Sequence, residues 1–213
     1  AGAVLIGLAG SVGIRPVVSQ GCEPIGQPWT ITDAEGQLIR RIGNRPAYEV
    51  LVETISNLAP TERERAASNL LVGLAMDEYH DEFARGDFLI RTLVGVDRSS
   101  GAIAIGAQTR VGQTLQFQVR DARAADSELR HMLGAVAGEA SPPAAAALLF
   151  ACNGRGAGLF GAPDHDAQTT RELLGPLPLA GLFCNGEIGP VGRTTFLHGF
   201  TASLGLITPL VGH

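Results

Sequence analysis

Lysine is missing from the chain: all 16 of its cations are arginine. Schiff-base catalysis and the phosphate-gripping lysine of a P-loop are therefore excluded. Basic runs are also missing, and the formal charge of −5 with a pI near 5.5 leaves no surface that neutralises many phosphates, so no nucleic-acid partner is expected. The longest apolar stretches, around residues 1–9 and 143–152, fall well short of the roughly 20 residues that a membrane span needs. No charged n-region or cleavage pattern of a signal peptide stands at the start, so no membrane partner is expected either. The chain opens at Ala1 in mid-pattern, as a piece of something longer does. Its three cysteines are an odd number and widely spaced. They form no disulfide framework and suit a reducing, cytoplasmic setting. Heptads and zinc-type Cys/His spacing are absent, and so is a complete Gly-x-Gly-x-x-Gly before a helix, although Gly154-Arg155-Gly156 and Gly186-Glu187-Ile188-Gly189 approach one.

What is present is enough for one large domain, or a domain with a piece of another: 213 residues, 45% of them hydrophobic. The most informative feature is a repeated strand end. Leu148-Leu149-Phe150-Ala151-Cys152-Asn153-Gly154-Arg155-Gly156 and Leu182-Phe183-Cys184-Asn185-Gly186-Glu187-Ile188-Gly189-Pro190 each stop an apolar run at Cys-Asn-Gly. Each reads as a buried strand closing in a turn whose glycine takes positive φ. The copies differ where Arg155 faces Glu187. Side by side, the two turns put a cation and an anion at one sheet edge, with Asn153 and Asn185 beside them. An open cleft so equipped suits a zwitterion such as an amino acid, since arginine grips a carboxylate through two parallel N–H bonds and glutamate accepts from an ammonium. The alternative is an ion pair between Arg155 and Glu187 themselves.

Along the chain, residues 1–9 and 14–20 read as two extended segments, and the Gly/Pro-rich stretch from Gly21 to Pro28 as irregular. Trp29–Thr32, a turn at residues 33–36, and Gln37–Ile42 form a hairpin. Val50, Leu51 and Ile55 mark a short helix. Thr61 with Glu64 three residues on reads as a capping box before a helix carrying Leu70, Leu71, Leu74 and Ala75. Phe88–Val96, Ala102–Gln108 and Thr114–Val119 read as an antiparallel meander, and Asp126–Ala137 as a helix with Leu129, Met132, Leu133 and Val136 on one face. Asp164 or Asp166 caps a helix ending near Leu174, and Thr195–Ile207 is a long last strand. The acidic run from Asp77 to Glu82 reads as a solvated face rather than a cation site, and no metal site is expected. The mixture predicts an α+β fold, a largely antiparallel or mixed sheet with packed helices, with an αββα layering as one possible form.

Several segments in order resemble the FIST family, named for F-box and intracellular signal transduction proteins: Gly21-Cys22-Glu23-Pro24-Ile25-Gly26 with Thr30–Thr32, Arg120-Asp121-Ala122, Cys152–Gly156, Gly186–Pro190, and Phe196-Leu197-His198-Gly199-Phe200-Thr201. Residues 46–213 resemble its C-terminal domain, and residues 1–45 the closing strands of its N-terminal domain, whose remainder becomes an expected partner. The resemblance implies a sensory module with an amino-acid-like ligand and no catalysis, used alone or joined to signalling domains, with a signalling protein as a further partner. It also brings in the haem-binding nitric-oxide sensors described among relatives.

Cys22, His198 and Thr201, inside the matching segments, join Arg155, Glu187, Asn153 and Asn185 as candidate ligand contacts. Asn153 and Asn185 also serve turn geometry, because asparagine tolerates the left-handed region and bonds its own backbone. A cysteine nucleophile needs a base, and His198 alone qualifies, so this reading ranks last. His198 reads as a hydrogen-bonded, partly buried histidine ahead of a haem ligand, since Cys-x-x-Cys-His is absent and aromatics make up 5% of the chain.

Overall fold

The computed structural model describes residues 2, 5–79, 82–83, 85–139, 142–192 and 194–210. Its fold is α+β, built on two sheets that share the segment following the first strand.

The longer sheet closes on itself. Strand β2 (Glu23–Glu35) pairs first with β8 (Thr114–Val119) and then with β3 (Leu38–Ile42). Between those two partners the order runs β8, β5 (Leu70–Ala75), β6 (Phe88–Asp97), β7 (Ala102–Ile105), β3, all antiparallel, with β4 (Arg45–Pro46) added beside β3. Serving two neighbours in turn requires β2 to bend. It does so at a shift of register between Ile25 and Trp29, where Gly26 and Pro28 would weaken a regular ladder. The barrel interior is filled by Ile31, Ile39, Ile42, Ile103, Ile105, Leu115 and Phe117, all fully buried. Each contributes about 1.5–3 kcal/mol by leaving water. Helix α1 (Ala47–Ser56) packs Val50 and Leu51 into the same core, and α2 (Pro60–Asn69) follows it.

The second sheet has the order β1 (Val12–Ser19), β13 (Ala202–Pro209), β9 (Ala146–Cys152), β10 (Leu179–Cys184). Its one parallel pair, β9 with β10, needs a crossover, which α4 (Ala157–Phe160) and α5 (His165–Leu174) supply. Helix α3 (Ala122–Ala137) lies with α5 over one face, setting Leu129 and Leu133 against Val17, Leu149, Leu204 and Leu206. Asp121 caps α3 by accepting from the Ala124 N–H at 2.8 Å. On the opposite face lies the hairpin of β11 (Glu187–Val191) and β12 (Thr194–His198), beside Ile14, Phe150 and Leu182, which remain exposed. Residues 1–45 thus contribute to both bodies, β1 to the open sheet and β2 and β3 to the barrel.

Where β1 leaves the sheet, Gln20 reaches β6 as a strand would. Its Nε2 donates to Phe88 O at 2.6 Å and its Oε1 accepts from Ile90 N at 2.9 Å.

Several expectations need correction. The described residues of 1–9 form no strand, and Leu5 and Ile6 stand in solvent. The Gly/Pro stretch from Glu23 onward is strand, made tolerable by the bulge. Helix α2 begins at Pro60, whose missing N–H costs nothing at a first turn, and Glu62 rather than Glu64 reaches back, to the Ala59 N–H. Leu70, Leu71, Leu74 and Ala75 lie on β5, not on a helix. Flanked by β6 and β8, that strand is buried almost throughout, so its apolar run shows no alternation. The meander is interrupted, because β8 pairs with β5 and β2 and not with β7. The long last strand is two strands separated by Gly199–Thr201, where Phe200 takes a φ of 69°. Within the acidic run, His80 and Asp81 lie outside the described residues.

Candidate functional site

The two Cys-Asn-Gly turns do meet. Cys152 and Cys184 are register partners across the parallel pair, and just beyond them Asn153 Nδ2 donates to Asn185 Oδ1 at 2.6 Å. The charged residues that follow turn inward and away from any shared hollow. The Arg155 guanidinium, fully buried, grips Asp166 on α5 through two bonds, Nε to Oδ2 at 2.7 Å and Nη2 to Oδ1 at 2.8 Å. Glu187, also buried, accepts from Thr201 Oγ1 at 2.8 Å and from the Thr201 and Gly186 N–H groups. The open cleft shared by Arg155 and Glu187 is therefore corrected: each satisfies its charge against a different neighbour, and the two do not pair with each other. Thr201 is spent on Glu187. Cys22 is buried, its thiol donating to Gln20 O and its acidity pushed down by burial first and by Glu128 second, so it stays a thiol. Glu128 accepts from Ser19 Oγ at 2.9 Å and from the Gly21 N–H, and burial raises its carboxyl above the usual range.

Of the seven predicted residues, His198 alone lines the largest hollow, a cleft of about 710 Å³ between the barrel and β12. One wall is the barrel rim: Leu74–Met76 from β5, Leu89–Thr92 from β6, Gly106–Gln108 after β7, and Arg110 and Gln113 from the loop before β8. The other is Phe196–Phe200. The Phe200 ring is held under the Arg120 guanidinium, 4.6 Å away, and Arg120 Nη2 donates to Gly154 O at 2.8 Å. That clamp offsets the strain of a left-handed phenylalanine.

The cleft is polar at its centre. Arg91 is half-buried, and among the described residues its side chain makes one hydrogen bond, from Nη1 to Ile90 O at 3.0 Å, and no ion pair. His198 Nε2–H donates to Gly189 O at 2.9 Å, which leaves Nδ1 a buried acceptor without a partner. Burial lowers the pKa of that imidazole from its ordinary value, the Gly189 hydrogen bond opposes the shift, and the Arg91 charge adds to it. Gln113 Oε1 is a second buried acceptor without a partner, and Gln108, Thr92 and Arg110 complete the polar set. Two arginines beside the neutral Gln108 and Thr92 side chains are equipment for a small anion that also carries N–H or O–H groups. The signal for Arg91 was available: it interrupts an apolar strand, Phe88-Leu89-Ile90-Arg91, where a charge has no structural reason to be.

Haem does not fit this arrangement. His198 has its Nε2 committed to Gly189 O and its Nδ1 sealed from the cleft surface, so neither nitrogen is presented to an iron. Among the described residues no three His, Cys, Asp or Glu side chains gather as a metal site, and no helix is long and apolar enough to cross a membrane.

Comparison with known proteins places residues 47–190 on the FIST C domain and residues 1–45 on the FIST N domain. The chain is 49% identical over 205 residues to the uncharacterized protein Rv0628c of Mycobacterium tuberculosis (strain ATCC 25618 / H37Rv), covering 93% of this chain and 54% of that protein. It is equally similar, 49% over 205 residues, to the uncharacterized protein Mb0898c of Mycobacterium bovis, covering 96% of this chain and 53% of that protein. The chain spans about half the length of these curated relatives.

Proposed function

The chain belongs to the FIST family, a family of small-ligand sensory domains in signal transduction, and from that premise we propose that it binds a small, amino-acid-like carboxylate in the cleft between barrel and hairpin, without catalysis. The observation that carries this reading is Arg91, a half-buried cation with no carboxylate partner among the described residues, facing the largest hollow. The ligand's carboxylate takes Arg91, and its N–H groups take the side-chain oxygens of Gln108 and Thr92 on the same wall. Arg110, exposed and 3.7 Å from Glu78, also lines the cleft. Because β12 and the barrel form opposite walls, a ligand touching both favours one spacing between them, and that preference is the signal. The three free thiols suit a cytoplasmic setting.

Calorimetry of the chain against a panel of free amino acids and simple carboxylates tests this. Arg91→Ala removes a charge-assisted bond of about 1.5–3 kcal/mol and weakens binding roughly 10- to 100-fold, while Arg123→Ala, outside the cleft, leaves it unchanged. No binding by any member of the panel, or equal binding by Arg91→Ala, removes the reading.

A second reading, a docking surface for a protein partner, is favoured by the paired Ile188 and Leu197, which face solvent on the hairpin. The partner is the remainder of the FIST N domain, and Ile188→Glu with Leu197→Glu abolishes its binding if that surface is used.

A further inference from the structure

Cys152 and Cys184 end parallel neighbours at the same level. Adjacent strands lie about 4.7–4.9 Å apart, inside the roughly 4.4–6.8 Å between Cα atoms that a disulfide spans. Alternation along β9 and β10 puts both side chains on the face turned away from α3 and α5, and neither is fully buried. The level is fixed just beyond the pair: the Asn153 N–H donates to Cys184 O at 2.8 Å, and the two asparagine side chains bond to each other. The register thus places the two thiols side by side, at a strand spacing that falls within the Cα range of a bridge.

The surroundings of the two sulfurs differ. Cys152 Sγ accepts from the Gly154 N–H at 3.4 Å, and Arg120 lies close by, anchored on Gly154 O. An N–H donor and a guanidinium are contacts that stabilise negative charge on sulfur. Cys184 instead donates to Leu182 O at 3.7 Å and has Glu187 in its neighbourhood. Cys22 takes no part, being buried in the interior with its thiol on Gln20 O. Neither sulfur lines the ligand cleft, so this feature stands apart from the site above.

We propose that Cys152 and Cys184 are a peroxide-responsive dithiol, with Cys152 the attacking sulfur and Cys184 the resolving one. The Cys152 thiolate attacks one peroxide oxygen and the O–O bond breaks. Cys152 is oxidised by two electrons to sulfenic acid, and the departing hydroxide takes up the proton shed by the thiol to become water. Cys184 sulfur then attacks Cys152 sulfur. The S–S bond forms, the S–O bond breaks, and the leaving hydroxide combines with the Cys184 proton as a second water. In sum, two thiols and one hydrogen peroxide give one disulfide and two waters. The bridge joins the two turns that the asparagines already hold, and it sits beside Arg120, the clamp on Phe200 in the cleft wall.

The experiment treats the reduced full chain with hydrogen peroxide and maps its tryptic peptides. Cleavage after Arg130, Arg155, Arg171 and Arg193 releases Cys152 and Cys184 in separate peptides, apart from Cys22. The expected result is a fall from three titratable thiols to one, with those two peptides joined by a bond that a thiol reductant removes. Cys184→Ser stops at a sulfenic acid on Cys152, trapped by dimedone, and Cys152→Ser consumes no peroxide at the same dose. Three thiols left intact, a disulfide that joins two copies of the chain, oxidation of Cys22, or undiminished peroxide consumption by Cys152→Ser each overturn the proposal. The wild-type peptide map decides it even if a variant folds poorly.

Discussion

Arg155 carries its charge where water does not reach, and among the described residues Asp166 answers it with two short bonds while Nη1 has no hydrogen-bond partner. Such a pair adds little net stability, because desolvating both ions offsets their attraction, yet breaking it strands a charge. Asp166→Ala is expected to destabilise the chain by about 3–5 kcal/mol in denaturant unfolding, whereas Arg155→Met with Asp166→Leu recovers most of that loss. An equally large loss in the double variant means that the side chains act through shape, not charge. The pairing also explains why this residue was misjudged from its motif. Nothing next to Gly154-Arg155-Gly156 announces that an aspartate 11 positions on returns to it over the first turn of α5.

At the level of elements, the β11/β12 hairpin depends on the smallness of one residue. A Cβ at Gly189 would come within 2.5 Å of Val18 Cγ2 and 2.9 Å of Ser203 Oγ, so the hairpin sits directly on β1 and β13. Gly189→Ala is expected to cost about 1–3 kcal/mol and to lift the hairpin. Amide exchange then accelerates in β11 and β12 while the barrel strands stay protected. Gly199→Ala, with nothing within 4 Å, serves as the control. Unchanged exchange in the hairpin of Gly189→Ala rejects this account. Most elements were legible beforehand for local reasons: the β2/β3 hairpin from its turn residues, α3 from its apolar face, β9 and β10 from their matching ends. Strand β5 was not. Packed between two partners and covered on both faces, it carries Leu70, Leu71, Leu74 and Ala75 at spacings that a helix shares. The barrel was illegible for a related reason, since closure is decided by which distant strands pair with β2, and no short stretch encodes that. The cleft followed the barrel into obscurity: its walls come from two distant stretches, residues 74–113 and 196–200, and only the isolated charge of Arg91 hinted at it.

Across the whole molecule, the open sheet and the barrel are coupled through the segment after β1. Gln20 supplies both of its amide atoms to β6, next to Gly21, whose φ of 72° and close approach to Arg155 Nη1 leave no room for a side chain. Gln20→Ala strands the Phe88 carbonyl and the Ile90 N–H, a loss of about 1–3 kcal/mol for each buried group. The single unfolding transition is expected to broaden as the two bodies lose their coupling, and the Ile90 amide to exchange faster. A sharp transition with a protected Ile90 amide contradicts this.

The first and last strands run side by side, with Val12 opposite Pro209 and the Leu210 N–H on Ser11 O at 2.9 Å. A short peptide suffices to join Leu210 to Ser11. A circularly permuted version joined between Ser11 and Leu210 and opened at the exposed Arg98–Ser100 turn keeps every strand pairing described above.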